Sequence, residues 1–167
     1  MTMKQASKLG LSVLALGGAL TMTGCSIASD HTEAHSYATA AEGKSAKVVA
    51  NWIPDNATDV QIKQSTTNNE RVVRATYDGK LPKTCAAMAT KGKPTVEERV
   101  KALKHEDSTT GGKFTPQELA EKQESVATLK ADFYPEGTES QATDLCGKWW
   151  VSQSDGYLYA FTPNLKR

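Results

Sequence analysis

The stretch Trp149-Trp-Val-Ser-Gln-Ser154, Asp155-Gly156, Tyr157-Leu-Tyr-Ala-Phe161 leaves the chain little freedom. Asp-Gly between two runs of aromatic and aliphatic residues predicts a type I′ turn, in which both central residues take positive φ and the twist suits two paired strands. A two-residue turn also sets the register. Trp150, Ser152 and Ser154 then share one side with Tyr157, Tyr159 and Phe161, while Trp149, Val151, Leu158 and Ala160 take the other. One side of this hairpin is therefore an aromatic stripe, and the chain needs an antiparallel sheet to hold it.

A second hairpin is expected upstream. In Thr58 to Ser65, Val60 and Ile62 alternate with Asp59, Gln61 and Lys63, the period of a strand with one buried face. Thr66-Thr-Asn-Asn69 supplies turn chemistry, and Arg71 to Tyr77 follows with Val73, Ala75 and Tyr77 on one face. A short apolar segment, Val48 to Ile53, precedes the pair and ends at Pro54. The middle of the chain has two helix starts, Thr95-Val-Glu-Glu98 and Thr115-Pro-Gln-Glu118, both capping boxes, the second with proline at the first helical position. Between them Asp107 to Gly112 reads as a loop. Val126 to Phe133 alternates Ala127, Leu129, Ala131 and Phe133 with polar residues and is expected to be a strand.

The N-terminal 24 residues have the three zones of an export signal. Lys4 and Lys8 are the only charges, an uncharged run from Leu9 to Met22 follows, and small residues precede Cys25. The run is shorter than the roughly 18 apolar residues of a spanning helix. Met22-Thr-Gly-Cys25 resembles a lipobox, with methionine where leucine is the commoner residue. The resemblance implies cleavage between Gly24 and Cys25, diacylglyceryl transfer to the Cys25 thiol and further acylation with a fatty acid such as palmitate. If Cys25 carries lipid, Cys85 and Cys146 remain as an even pair in an oxidising compartment and are expected to form a disulfide. Such a crosslink would stabilise the fold by about 4 kcal/mol in the chain-entropy treatment.

Ser26 to Ala46 holds almost no large apolar residue, so residues 25–46 are expected to be a lipidated cysteine and flexible tether, ahead of a single α+β domain over 47–167. That domain is expected to be an antiparallel sheet of four to six strands with two inserted helices. Removing Lys4 and Lys8 from the 20 Lys and Arg leaves them one short of the 19 Asp and Glu, a formal charge of −1, which gives no footprint for nucleic acid. Asn51-Trp-Ile-Pro54, Ala57-Thr-Asp-Val60, Cys85, Cys146-Gly-Lys-Trp149, Asp155-Gly-Tyr157 and Phe161-Thr-Pro163 together resemble small actinobacterial lipoproteins of uncharacterised function. The resemblance implies a compact disulfide-bonded domain and carries over no catalytic residue.

Candidate chemistry is sparse. Asp30-His31-Thr-Glu33-Ala-His35 gathers metal-ligand types but lacks a zinc-protease spacing, and a solvated tether explains it more simply. His105-Glu106-Asp107 sits at a helix end, where a histidine suits the helix dipole. No Gly-x-Ser-x-Gly frames a serine, and nothing in the sequence brings Asp59 and Asp78, or Asp144 and Asp155, to a working separation. No metal, cofactor or catalytic residue is therefore assigned. The best functional feature is the aromatic hairpin, Trp149, Trp150, Tyr157, Tyr159 and Phe161, as a binding face, with burial in the core as the competing use. The expectation is a non-catalytic, extracytoplasmic module held to the cell membrane through acylated Cys25, with an envelope protein or glycan as partner. An envelope hydrolase and a structural or phage-encoded envelope protein are the alternatives.

Overall fold

The computed structural model of the chain describes residues 31–105 and 114–166. Gly24, Cys25 and the export signal lie outside the described residues, as do Asp30, Glu106, Asp107 and most of the loop that follows. Among the described residues there are seven strands, β1 (Thr32–Thr39), β2 (Thr58–Ser65), β3 (Arg71–Thr76), β4 (Cys85–Ala87), β5 (Asp144–Cys146), β6 (Trp149–Ser154) and β7 (Tyr157–Thr162). They form one antiparallel sheet in the order β1-β2-β3-β7-β6-β5-β4. The described residues also contain three helices, α1 (Ala40–Ser45), α2 (Val96–Lys104) and α3 (Pro116–Lys122), and a 3-10 turn at Thr138–Gln141. Among the described residues no helix is long and apolar enough to cross a membrane.

Both expected hairpins form. Ser154 pairs with Tyr157, and Asp155 and Gly156 have φ of 52° and 79°, the two positive values a type I′ turn demands. At the other hairpin the Thr66-Thr-Asn-Asn69 turn forms as expected: Asn68 Oδ1 accepts from Glu70 N at 2.7 Å, and Ser65 Oγ accepts from the backbone N–H groups of Thr67 and Asn68. Both capping boxes are complete, with Thr95 and Glu98, and Thr115 and Glu118, exchanging hydrogen bonds. The Cys85–Cys146 disulfide is present and ties β4 to β5 at directly opposed positions.

The sheet is covered on both faces. On one, α1 and the turns through residue 57 pack Ala40, Val49 and Ile53 against Val60, Ile62, Val73, Trp149, Val151, Leu158 and Ala160. On the other, the helical insertion and its return loop cover Val72, Leu145, Trp150 and Phe161. β3 and the last hairpin are thus buried on both faces over part of their length, which is why Val72 and Val73 are both inaccessible.

Three expectations are corrected. The strand count is seven, because β1 and the three-residue β4 and β5 join the sheet. The tether expected to run to Ala46 does not: from Thr32 onward it is an edge strand and a helix, with His35 and Tyr37 turned onto the β2 residues Ile62 and Val60 opposite them. Cross-strand pairing supplies the stability that the composition lacks. Thr39 caps α1 by accepting from Glu42 N, and Gly43 is buried so closely that a Cβ there would lie 2.2 Å from Val49 Cγ2. Third, Val126 to Phe133 is not a strand. Its alternation is nonetheless real, since Ala127, Leu129, Ala131 and Phe133 all pack on the second core. The segment crosses the sheet's face, where no strand edge is open to pair with it.

Candidate functional site

The five aromatic residues of the last hairpin do not form one binding face. Trp149 points to the first core and Trp150 and Phe161 to the second, all three at or below 2% exposure. A small sheet closed on both faces needs their volume inside. Tyr157 and Tyr159 remain half-buried near the turn of the hairpin. Their rings lie 6.1 Å apart, and the Arg74 guanidinium sits 5.0 Å from the Tyr157 ring centroid. Arg74 is held in place by Asp59, 2.7 Å away, at a bulge in β2 where Asp59 takes a φ of 47°.

Tyr159 also lines a groove of about 410 Å³ between the hairpin and the 3-10 turn. Its walls carry the hydroxyl and amide side chains of Gln141, Thr143, Ser152 and Ser154, with Glu136, Asp155 and Lys91 at hand. Below Tyr159 the ring of Tyr134 meets it edge-on at 6.0 Å. Burial, with the nearby Glu139 charge, pushes the Tyr134 phenol well above its ordinary range, which keeps it neutral. Pro135, Glu136 and Gly137 separate the groove from a second hollow of about 460 Å³ lined by Val126, Leu129 and Tyr134. The arrangement offers flat aromatic surface next to many weak polar groups.

A different cleft, of about 430 Å³, opens at the opposite end of the strands. It is lined by Trp52, Trp149, Asn51, Arg71, Thr84 and the Cys146-Gly-Lys148 turn, with His105 at its rim. Trp52 packs against Trp149 at 6.2 Å, and its indole Nε1 is buried without a hydrogen-bond partner. Trp52 lies in the Asn51-Trp-Ile-Pro54 motif, so the sequence carried a signal for it. Nothing marked Arg71, a strand-opening cation like many others.

The remaining candidates are placed as follows. His35 lies half-buried on β1, stacked on Tyr37 at 6.3 Å, and its Nε2 is 3.6 Å from Glu33. Exposed His31 precedes the strand, and His105 caps the end of α2. Among the described residues no group of three metal-ligating side chains converges. Asp59 is engaged by Arg74, and Asp144 accepts from the Thr143 hydroxyl at 2.8 Å. The most deeply buried acid among the described residues, Glu70, was not singled out in the sequence. Its carboxylate takes hydrogen bonds from the N–H and hydroxyl of Thr128 and from Leu129 N, so it is a structural clamp. Comparison of the chain with protein-family models, curated proteins and solved structures gives no match.

Proposed function

We propose that the protein is a lipid-anchored, extracytoplasmic binding module that holds an envelope glycan in the groove beside Tyr159. The observation that carries this reading is Tyr159, half-exposed in a groove walled by hydroxyl and amide side chains, with the half-exposed ring of Tyr157 6.1 Å from its own. Tyrosine rings present a flat apolar surface to the C–H face of a sugar, and the neighbouring polar groups match its hydroxyls. The lipobox-like Met22-Thr-Gly-Cys25 supports the anchor, and the Cys85–Cys146 disulfide suits an oxidising compartment.

Two measurements test the two halves separately. Metabolic labelling with a fatty acid should mark the wild-type chain and not Cys25→Ser, which should accumulate as unprocessed precursor; labelling that persists removes the anchor. Pull-down of envelope polysaccharide by the intact lipoprotein should be lost in Tyr157→Ala/Tyr159→Ala while the fold is kept. Retention by that variant, or no glycan recovered by the wild type, removes the groove as a glycan site.

A further inference from the structure

The cleft at the disulfide end differs from the groove in chemistry. Arg71 is half-buried in its wall, and its side chain has no hydrogen-bond or ion-pair partner among the described residues. The carboxylate next to it in sequence, Glu70, is taken up by Thr128 and Leu129. Trp52 Nε1 adds a buried donor with no acceptor, and Asn51 and Thr84 add an amide and a hydroxyl. No Asp or Glu is among the described lining residues. An unpaired guanidinium and an indole N–H with no carboxylate beside them among the described residues are the complement of an oxyanion, and phosphate is an oxyanion that a guanidinium fork can hold bidentately.

Strand register gives the cleft a position. Thr32 pairs with Ser65, Gln64 with Arg71, Arg71 with Thr162, and Cys146 with both Trp149 and Cys85. The cleft therefore lies at the end of the sheet where the chain enters it. The seven Cα steps from Cys25 to Thr32 span at most about 25 Å. A lipid on Cys25 would keep this end, and not the tyrosine end, close to the bilayer surface, where indole rings are favoured and anionic headgroups attract cations.

We infer that this cleft binds the phosphoryl group of an anionic phospholipid headgroup, with Arg71 and the Trp52 N–H as the donors, and so orients the domain with its tyrosine groove facing away from the membrane. The orientation rests on the lipid anchor proposed above; the binding does not. The test titrates glycerophosphoglycerol, the soluble headgroup of an anionic phospholipid, onto the full lipoprotein in neutral detergent. Glycerophosphocholine and inorganic phosphate are run in parallel, with tryptophan emission as the readout because Trp52 and Trp149 line the cleft. The expected result is a saturable change with glycerophosphoglycerol, weakened about tenfold by Arg71→Gln, the effect of losing one charge-assisted hydrogen bond. Arg71→Lys should retain part of the affinity, and Trp52→Phe should weaken it with the fold intact. Absence of a response, an equal response to glycerophosphocholine, or undiminished binding by Arg71→Gln overturns the proposal. Tighter binding of inorganic phosphate than of the headgroup overturns the lipid as the source. Headgroup binding by a chain that takes up no fatty acid would fail the anchor alone, and fatty-acid labelling without headgroup binding would fail the cleft alone.

Discussion

The carboxylate of Glu70 closes on Thr128, 58 residues further along the chain, and accepts from both its backbone N–H and its hydroxyl. Leu129 N donates to the same carboxylate at 3.0 Å. One acid thus pins the return loop of the insertion across the second core, where Ala127 and Leu129 pack. Glu70→Ala should destabilise the protein by about 2–4 kcal/mol, since it strips the acceptor from several partly buried donors. Glu70→Gln, which retains one acceptor oxygen, should cost less. Urea unfolding measures both, and hydrogen exchange should show the Thr128 and Leu129 amides losing protection in Glu70→Ala. Unchanged protection at those two amides would contradict the clamp.

The disulfide joins two short strands at the far edge of the sheet from β1, between cysteines 61 positions apart in sequence. Neither β4 nor β5 is long enough to hold by pairing alone, each having three residues. Cys85→Ala/Cys146→Ala should lower stability by about 2–5 kcal/mol. Thermal unfolding with and without reductant gives the value, and a wild type insensitive to reduction would count against it.

Glu98 caps α2 and also accepts from Ala89 N at 2.7 Å, tying the helix to the segment that leaves β4. The Ala89 N–H, with that of Thr95, holds its carboxyl below the usual carboxylate range. A depressed folded pKa contributes stability that is fully present above the unfolded carboxylate value and is lost as pH falls through the folded one. Glu98→Ala should therefore cost about 1 kcal/mol at neutral pH, the scale of a helix cap. The difference from wild type should shrink as pH falls from about 5 toward 3. Paired urea titrations at those pH values would show a constant gap if the carboxylate charge were irrelevant.

At the hairpin tip, Gly156 has a φ of 79° and open space around the position a Cβ would occupy. The cost of Gly156→Ala is then conformational and not steric, about 1–2 kcal/mol. Asp155→Gly, at a φ of 52°, should be close to neutral because it relieves the same left-handed strain at a neighbouring site. Chemical denaturation of the two variants should differ in this direction; equal destabilisation would mean that Asp155 makes a contribution beyond its backbone conformation.

The features legible in the sequence are those whose cause is local. Asp155-Gly156 forces positive φ, Thr95 to Glu98 and Thr115 to Glu118 satisfy helix N–H groups within four residues, and both hairpins follow from turn chemistry between alternating runs. The edge strand β1 was missed because its residues bury little by themselves, although Thr39-Ala-Ala-Glu42 carries a cap signal like those of α2 and α3. Val126 to Phe133 shows the converse: alternation correctly assigned the side chains to one buried face, yet a strand also needs a free edge.

The candidate sites divide in the same way. By itself the sequence determined the turns, the starts of α2 and α3, the partition of the last hairpin's side chains and the pairing of Cys85 with Cys146. Only the tertiary structure decided that Trp149, Trp150 and Phe161 are core while Tyr157 and Tyr159 keep a surface, because exposure depends on which stretches of each face the insertion and α1 happen to cover. It alone put Arg71 and Trp52 in the lining of one cleft and sent Glu70 to Thr128. Those are relations between distant residues, and no local preference encodes them.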